Sequence, residues 1–298
     1  MTSLSKWILG IAVVGILAGG ALVVHLLRAT PADVAPTVLA PTPEPYPKVA
    51  PIGSSVEGRT IDSFTYGTGP IHLAFVGGVH GGYEWNAVLL AYQLMDYLQA
   101  HPEAIPASES VTIIPDVNPD AVHKVTGVEG RFTLADIPKG TDLVPDRYNA
   151  HMVDLNRNFD CNWQPKSSFL GKVTSAGTTA FSEPEAQAIK NFVASTSPKV
   201  VAFFHSKSGA VYASQCHAGI LPQTLAVTKV YAKAAGYRAI NIFDAYPITG
   251  DAEGWLASLS IPAITVELTT HDSVEFDKNL AGVKALIAYM ASSTPAKP

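Results

Sequence analysis

The sequence contains few charged residues, few cysteines and no run of basic residues. Charged residues make up 15% of the 298-residue chain, whereas about a quarter is usual in soluble domains. Only two cysteines are present, which excludes a disulfide-rich scaffold, and the 47% hydrophobic content excludes an intrinsically disordered chain. The formal net charge is −5, and without a positive patch the chain is not expected to bind nucleic acid.

The sequence also lacks two common catalytic motifs. It has no Gly-x-Ser-x-Gly nucleophile turn and no phosphate-binding loop ending in Gly-Lys-Ser/Thr. Serine hydrolases and nucleotidases are therefore unsupported as function classes.

Apolar residues are concentrated near the N-terminus. Residues 7–27 contain no Lys, Arg, Asp or Glu, and at about 1.5 Å per residue they would form a helix of about 31 Å, enough to cross a bilayer core. We therefore expect residues 1–28 to be a membrane anchor. A cleaved signal peptide is the alternative, with a small-residue pattern near Ala29–Ala32. Both interpretations place the rest of the chain outside the cytoplasm, either membrane-anchored or secreted.

Proline marks the next boundary. Seven of the 22 prolines lie between Pro31 and Pro51. Because proline fixes φ and removes a hydrogen-bond donor, residues 29–51 are predicted to be an extended linker. Residues 52–298 are predicted to form one folded domain, long enough for a substantial core. We expect this domain to be monomeric.

Strand-like and helix-like segments alternate from residue 52 onward. Continuous apolar runs, typical of strands buried on both faces, occur at 71–77, 111–115, 200–205, 239–243 and 263–268. Apolar residues at helical spacing occur at 84–99, 183–195, 221–236 and 274–292. This alternation predicts an α/β sandwich around a mixed, largely parallel central sheet, with ligands beyond the carboxyl ends of the strands.

Three of the predicted strands lead into residues that can bind metals or transfer protons. His80 follows the first strand, His205 ends the strand at 200–205, and Glu267 lies near the end of the strand at 263–268. Two histidines and a carboxylate are a common ligand set for catalytic zinc, with a fourth position left for water. A single histidine at a strand end is more typical of a hydrogen-bonded structural residue, but the three strand ends together indicate a metal site.

Several motifs, in the same order along the chain, resemble those of the zinc carboxypeptidase family, and are most similar to bacterial members that act on murein peptides. The matching segments are IGSSVEGRTI (52–61), His80 to Glu84, NPD (118–120), RYNAHMVDLNRNFD (147–160), FHS (204–206) and YPITGDAEGWLASLSIPAITVEL (246–268). The resemblance implies a three-layer α/β/α sandwich and a catalytic domain at 52–298 that hydrolyses a C-terminal peptide bond.

The resemblance assigns one zinc ion (Zn²⁺) to His80, Glu84 and His205. The family usually has two residues between the first histidine and the glutamate, but here the three residues Gly81-Gly82-Tyr83 intervene. The two glycines could take up the extra residue in a bulge. The alternative role of Glu84 is that of an acidic residue at a helix N-terminus.

Two further residues are implied to be catalytic. Glu267 matches the family's proton-shuttling glutamate, and the desolvation of a carboxylate that ends an apolar strand would raise its pKa. Alternatively, Glu267 pairs with a buried arginine and has only a structural role. Arg147 is implied to polarise the scissile carbonyl and stabilise the oxyanion, and its alternative role is a surface ion pair.

Four residues are implied to bind substrate. Asn156 and Arg157 would hold the terminal carboxylate, which suits the bidentate fork of arginine. Tyr246 would close over the substrate, and its alternative is an ordinary amphipathic tyrosine at the edge of a loop. Glu253 lies at the position that lines the pocket for the C-terminal side chain. With Asp251 nearby, it predicts a preference for a cationic C-terminal residue. Alternatively, both acids begin a helix and face solvent.

These observations predict a zinc-dependent metallocarboxypeptidase acting on murein peptides or on peptides that end in a cationic residue. A zinc deacylase or amidase with the same ligands is the alternative, and an inactive cell-wall-binding homologue is a third interpretation. Export of the domain also predicts a disulfide between Cys161 and Cys216, because such bonds persist in oxidising compartments. Two buried free thiols are the alternative.

Overall fold

The computed structural model describes residues 46–293. The predicted membrane anchor at 7–27, its signal-peptide alternative and the linker up to residue 45 lie outside this part of the chain. Within residues 46–293, no helix is both long enough and apolar enough to cross a membrane.

Strands and helices alternate along the described chain. The strands are β1 (Lys48–Ser54), β2 (Thr60–Gly67), β3 (Ile71–Val76), β4 (Glu109–Ile114), β5 (Lys166–Phe169), β6 (Lys172–Ser175), β7 (Val200–Ser206), β8 (Ala210–Ala213), β9 (Arg238–Ile240) and β10 (Ala263–Leu268). The helices are α1 (Trp85–Ala100), α2 (Pro119–Thr126), α3 (Pro184–Thr196), α4 (Pro222–Ala235), α5 (Ala252–Ser258) and α6 (Phe276–Ser293).

Eight of the strands form one mixed sheet in the order β1-β2-β4-β3-β7-β10-β8-β9. The four central strands β4, β3, β7 and β10 are parallel to one another. Strand β2 runs antiparallel to β1 and β4, and β8 runs antiparallel to β10. The prediction of an α/β fold with a mixed central sheet is confirmed. Strands β5 and β6 form a separate hairpin.

The sheet is covered by helices on both faces, because successive strand residues point to opposite sides. In β3, Leu73 and Phe75 belong to one apolar cluster, whereas Ala74 and Val76 belong to another. Helices α1, α4 and α6 contribute to the first cluster, and α3 and α5 contribute to the second. The central strands have continuous apolar sequences because both of their faces are buried.

Two segments differ from their predicted extents. Strand β1 begins at Lys48, within the predicted linker, so the last linker residues belong to the sheet. Proline is tolerated there because β1 is an edge strand, and the register shifts between Pro51 and Gly53. Strand β9 ends at Ile240, three residues before the end of the strand predicted at 239–243. Residues 241–249 contain no helix or strand and run from β9 towards α5.

Candidate active site

His80 and Glu84 meet through a tight turn between β3 and α1. Residues Gly81–Glu84 form a 3₁₀ turn, and Gly81 has a φ of +47°, which favours glycine. A Cβ at Gly81 would lie 2.4 Å from the Cβ of Ala121 in α2. The turn places His80 Nδ1 2.8 Å from Glu84 Oε1. The two glycines therefore lie in a 3₁₀ turn rather than in the expected bulge, and this turn brings Glu84 to His80 across the three intervening residues.

His205 completes this cluster from the neighbouring strand β7. Its Nδ1 lies 2.9 Å from Glu84 Oε2 and 3.0 Å from His80 Nδ1. All three side chains are buried, and one possible ligand atom of each lies within 4.8 Å of the others. The predicted ligands are thus brought together at the carboxyl ends of adjacent parallel strands.

The donor set fits zinc, since two imidazole nitrogens and one carboxylate leave a fourth tetrahedral position. The Nε2 atoms of both histidines have no hydrogen-bond partner among the described residues. Each nevertheless faces a carboxylate: His80 Nε2 lies 3.5 Å from Asp154 Oδ1, and His205 Nε2 lies 3.4 Å from Glu253 Oε1. A carboxylate behind a histidine orients the ring for metal binding through the other nitrogen.

The charges within the cluster favour an ionised Glu84. Burial alone would raise the pKa of Glu84, but the adjacent His80 and His205 lower it well below its ordinary value. For His205, burial lowers the pKa, but the carboxylates of Glu84 and Glu253 outweigh this effect and raise it to about 10. A carboxylate must be deprotonated to bind a metal ion, and Glu84 is held in that state.

Glu267 faces the same cluster from strand β10, where it lies opposite His205 in the parallel pairing with β7. Its Oε2 atom is buried and has no hydrogen-bond partner among the described residues. Burial, and next the charge of Glu84, raises the pKa of Glu267 to about 8. A carboxyl group with a pKa near neutrality can both accept and donate a proton at physiological pH.

Arg147 is buried beside the candidate metal ligands rather than on the surface. It ends the 3₁₀ turn Val144–Arg147 and is 3% exposed. Its Nε donates to Asp154 Oδ2 at 3.0 Å, and its guanidinium carbon lies 3.9 Å from the ring centroid of Phe169. Asp154 thus contacts Arg147 through one oxygen and faces His80 through the other.

Asn156 and Arg157 line the same cavity, which has a volume of about 610 Å³. Asn156 Oδ1 accepts from the backbone N–H of Ala252 at 2.9 Å, which fixes the amide and leaves its Nδ2 as a donor. Arg157 Nε donates to Ser167 Oγ at 3.1 Å. Both predicted carboxylate-binding residues are therefore held in place by other parts of the chain.

Tyr246 and Glu253 also line the cavity, but their environments differ. Tyr246 lies in the 241–249 segment, is 38% exposed, and packs edge-on against Phe243 with 4.8 Å between ring centroids. Glu253 lies in the first turn of α5, is 2% exposed, and accepts from Thr265 Oγ1 at 2.9 Å. Glu253 therefore does not face bulk solvent, in contrast to its alternative interpretation.

The expected disulfide between Cys161 and Cys216 is present, with a Cα–Cα distance of 6.2 Å. Both cysteines line the cavity. The bond links the segment that follows Arg157 to the loop that follows β8.

Several residues of the site were not assigned a role from the sequence. Asp154 lies two residues before Asn156 in a segment already singled out, so its carboxylate is a signal that could have been used. Ser206 Oγ lies 2.6 Å from His271 Nδ1 and 3.0 Å from Asn86 Oδ1. Phe169 belongs to the β5–β6 hairpin, and no pattern in the sequence predicts its contact with Arg147.

Comparisons with known proteins concern the family and the fold of the chain. A family model described as zinc carboxypeptidase matches residues 43–279. The murein-tripeptide amidase of Escherichia coli O157 is 20% identical, with a TM-score of 0.58 over 85% of this chain and 95% of the other. Carboxypeptidase A of Helicoverpa armigera is 20% identical, with a TM-score of 0.62 over 83% and 69%. Bovine thrombin-activatable fibrinolysis inhibitor is 18% identical, with a TM-score of 0.65 over 84% and 92%.

Proposed function

The chain belongs to the zinc carboxypeptidase family, and we propose that it removes the C-terminal residue of a peptide. The observation that carries this proposal is that three kinds of group line one cavity. The first is the candidate metal-ligand cluster of His80, Glu84 and His205. The second is the carboxyl group of Glu267, and the third is the pair of guanidinium groups of Arg147 and Arg157. A zinc metallopeptidase that cleaved only internal bonds would not need an arginine to bind a terminal carboxylate, which is the role we propose for the buried Arg157.

The chemistry of the reaction divides among these groups. A zinc ion held by His80, Glu84 and His205 would supply Lewis acidity and would lower the pKa of water towards 7. Glu267 would accept a proton from water as the water oxygen bonds to the carbonyl carbon. It would then donate this proton to the amine nitrogen as the C–N bond breaks. The Oε2 atom of Glu267, which has no hydrogen-bond partner among the described residues, is available for this transfer. The buried carboxyl group is suited to this exchange because its pKa is raised to about 8.

The two arginines would bind two different groups of the substrate, the scissile carbonyl and the terminal carboxylate. Arg147 donates hydrogen bonds to the scissile carbonyl oxygen as negative charge develops there, because its guanidinium is fixed by Asp154 and Phe169. Arg157 and Asn156 bind the terminal carboxylate of the substrate. Tyr246 closes the exposed side of the cavity over the bound peptide.

The C-terminal residue of the substrate is proposed to carry a positive charge. Two carboxylates, Asp251 and Glu253, line the cavity, and no Lys or Arg of the described residues lies within 4 Å of either. Burial, and next the charge of Glu253, raises the pKa of Asp251 to about 6. Burial also raises the pKa of Glu253, but the adjacent His205 outweighs this effect and lowers it. A cation beside Asp251 would therefore relieve the repulsion between the two acids. A substrate ending in Lys, Arg or diaminopimelate would provide that cation.

An amidase acting on murein peptides is the second candidate. It is favoured by the similarity to the murein-tripeptide amidase, 95% of whose chain is covered. Murein peptides that end in diaminopimelate would satisfy both candidates, because they present a terminal carboxylate and a cationic side chain. A panel of murein peptides and ordinary peptides with matched C-terminal residues distinguishes the two.

The test of the proposed function combines metal analysis with the Glu267→Gln variant. We expect one zinc ion per chain in both proteins, and a fall in kcat of about 100- to 10,000-fold in the variant, since general acid–base catalysis has this magnitude. Glu109→Gln is the matched control, because Glu109 is a fully buried carboxyl group at the start of β4 that does not line the cavity. Undiminished hydrolysis by Glu267→Gln, or absence of zinc from the active protein, would contradict the proposal.

A further inference from the structure

The tip of the β5–β6 hairpin has an unusual residue at its turn. Phe169 pairs with Lys172, so the turn consists of Leu170 and Gly171. Both have positive φ, +49° and +73°, which identifies the primed type I turn common in hairpins. This turn favours Asn, Asp or Gly at both positions, and a leucine with positive φ is conformationally disfavoured.

Leu170 does not contribute to the apolar core. Its side chain is 68% exposed, and it belongs to neither of the two core clusters. It does, however, line the rim of the active-site cavity, as does Phe169. Folding therefore does not explain an apolar residue at this position, whereas contact with a ligand in the cavity does.

Strand β5 crosses the site from one arginine to the other. Ser167 accepts from Arg157, and Phe169 stacks on the guanidinium of Arg147. Residues two apart in a strand point to the same side, so Ser167 and Phe169 lie on one face of β5, about 7 Å apart along the strand. Leu170 follows Phe169 directly and lines the cavity with it, so both residues belong to the end of β5 that contacts Arg147.

A bound peptide would have one of its groups at each of these two arginines. In the proposed function, Arg157 binds the terminal carboxylate and Arg147 binds the scissile carbonyl. The scissile carbonyl belongs to the residue that precedes the scissile bond, so this residue would lie beside Arg147 and the Phe169 ring that packs against it. Phe169 and Leu170 offer this residue apolar surface without hydrogen-bonding groups.

We propose that Leu170, together with Phe169, forms a specificity subsite for an apolar side chain on the substrate residue immediately before the scissile bond. This inference rests on the proposed carboxypeptidase function and adds a second determinant of its substrate. The hairpin thereby restricts the acyl side of the peptide, while Asp251 and Glu253 restrict its C-terminal residue.

The test is the substitution Leu170→Asn, because asparagine is well suited to the turn and poorly suited to the subsite. The thermal unfolding midpoint should be unchanged or higher, since asparagine tolerates positive φ. The value of kcat/KM should fall about 10-fold for a peptide with Leu before the scissile bond, and less than about twofold for one with Gly there.

The matched control is Val173→Thr, which removes an apolar side chain from the same hairpin. Val173 is 75% exposed but does not line the cavity, so its substitution should leave both kcat/KM values unchanged. An equal loss for the two peptides in Leu170→Asn, or no loss for either, would overturn the subsite while leaving the proposed function intact. Failure of the wild type to hydrolyse any peptide of the panel would overturn both.

Discussion

The floor and the rim of the active-site cavity are built in different ways. The floor comprises four residues near the ends of three parallel strands: His80, Glu84, His205 and Glu267. The first three are buried, and Glu267 is partly buried. The rim comprises Phe169, Leu170 and Tyr246, which lie on a two-stranded hairpin and in a segment without regular structure. Both line the same cavity.

This difference corresponds to two separate demands on the site. Proton transfer and metal binding need groups held in fixed positions, and strands packed on both faces provide them. Recognition of varied peptide side chains needs surface that is accessible before the substrate binds, and exposed loops provide it. We therefore expect substitutions in the floor to reduce kcat strongly and substitutions in the rim to change substrate preference or KM.

The largest effect among the remaining tests is expected for Arg147→Ala, because Arg147 lies between the two regions. It contacts Asp154 on the floor side and Phe169 on the rim side. If Arg147 takes part in the reaction, as the floor residues are expected to do, kcat of the variant falls about 100- to 1,000-fold. This is the usual result of removing one hydrogen-bond donor to a developing oxyanion. Steady-state kinetics on the zinc-loaded variant measures this, with metal content determined in parallel.

Arg157→Ala is the comparison variant, since it removes the same kind of side chain from the same cavity. Binding of the terminal carboxylate affects the ground state, so its KM should rise while kcat changes less. If Arg147→Ala also raised KM alone, Arg147 would be a binding residue, and its assignment to the floor would be wrong.

The floor could be predicted from the sequence because its residues follow recognisable strands. Parallel strands place their carboxyl ends at one edge of a sheet, so His205 and Glu267 were expected to be neighbours, and they lie opposite each other in the register. Glu84 was harder to predict, since its spacing from His80 is longer by one residue than in the family pattern that the sequence resembles. The 3₁₀ turn at Gly81–Glu84 nevertheless brings the two side chains together.

The rim could be predicted only in part, for a physical reason. The contacts of Phe169 with Arg147 and of Ser167 with Arg157 join residues without any periodic relation in sequence. A Leu-Gly turn also gives no hairpin signal, because the usual signal is Asn-Gly or Asp-Gly. The prediction of a strand at 239–243 was wrong beyond Ile240. From residue 241 the chain forms the segment without regular structure that contains Tyr246.

An intermediate effect is expected for Glu253→Gln, which removes one of the two acids that line the cavity. The ratio of kcat/KM for a peptide ending in Lys to one ending in Leu should fall about 10-fold, or about 1.4 kcal/mol, since a buried charge pair is lost. Glu253 also faces His205 at 3.4 Å, so zinc affinity is measured in the same samples.

Thr265→Val is the control for this substitution. It removes the hydrogen bond to Glu253 Oε1 but keeps the carboxylate charge, and the preference for Lys should persist. An unchanged Lys-to-Leu ratio in Glu253→Gln, with or without weaker zinc binding, would show that Glu253 serves the metal site and not the choice of substrate.

The smallest effect is expected for Tyr246→Phe, a change confined to the rim. The variant keeps the ring that packs against Phe243 and loses only the hydroxyl, so KM should rise about 3- to 10-fold, as for one hydrogen bond of about 1 kcal/mol. Tyr212→Phe is the control, because the hydroxyl of Tyr212 already donates to Ser208 within the chain. A loss of kcat comparable to that of Arg147→Ala would mean that an exposed residue takes part in the chemistry. Burial would then no longer separate the residues that react from those that select.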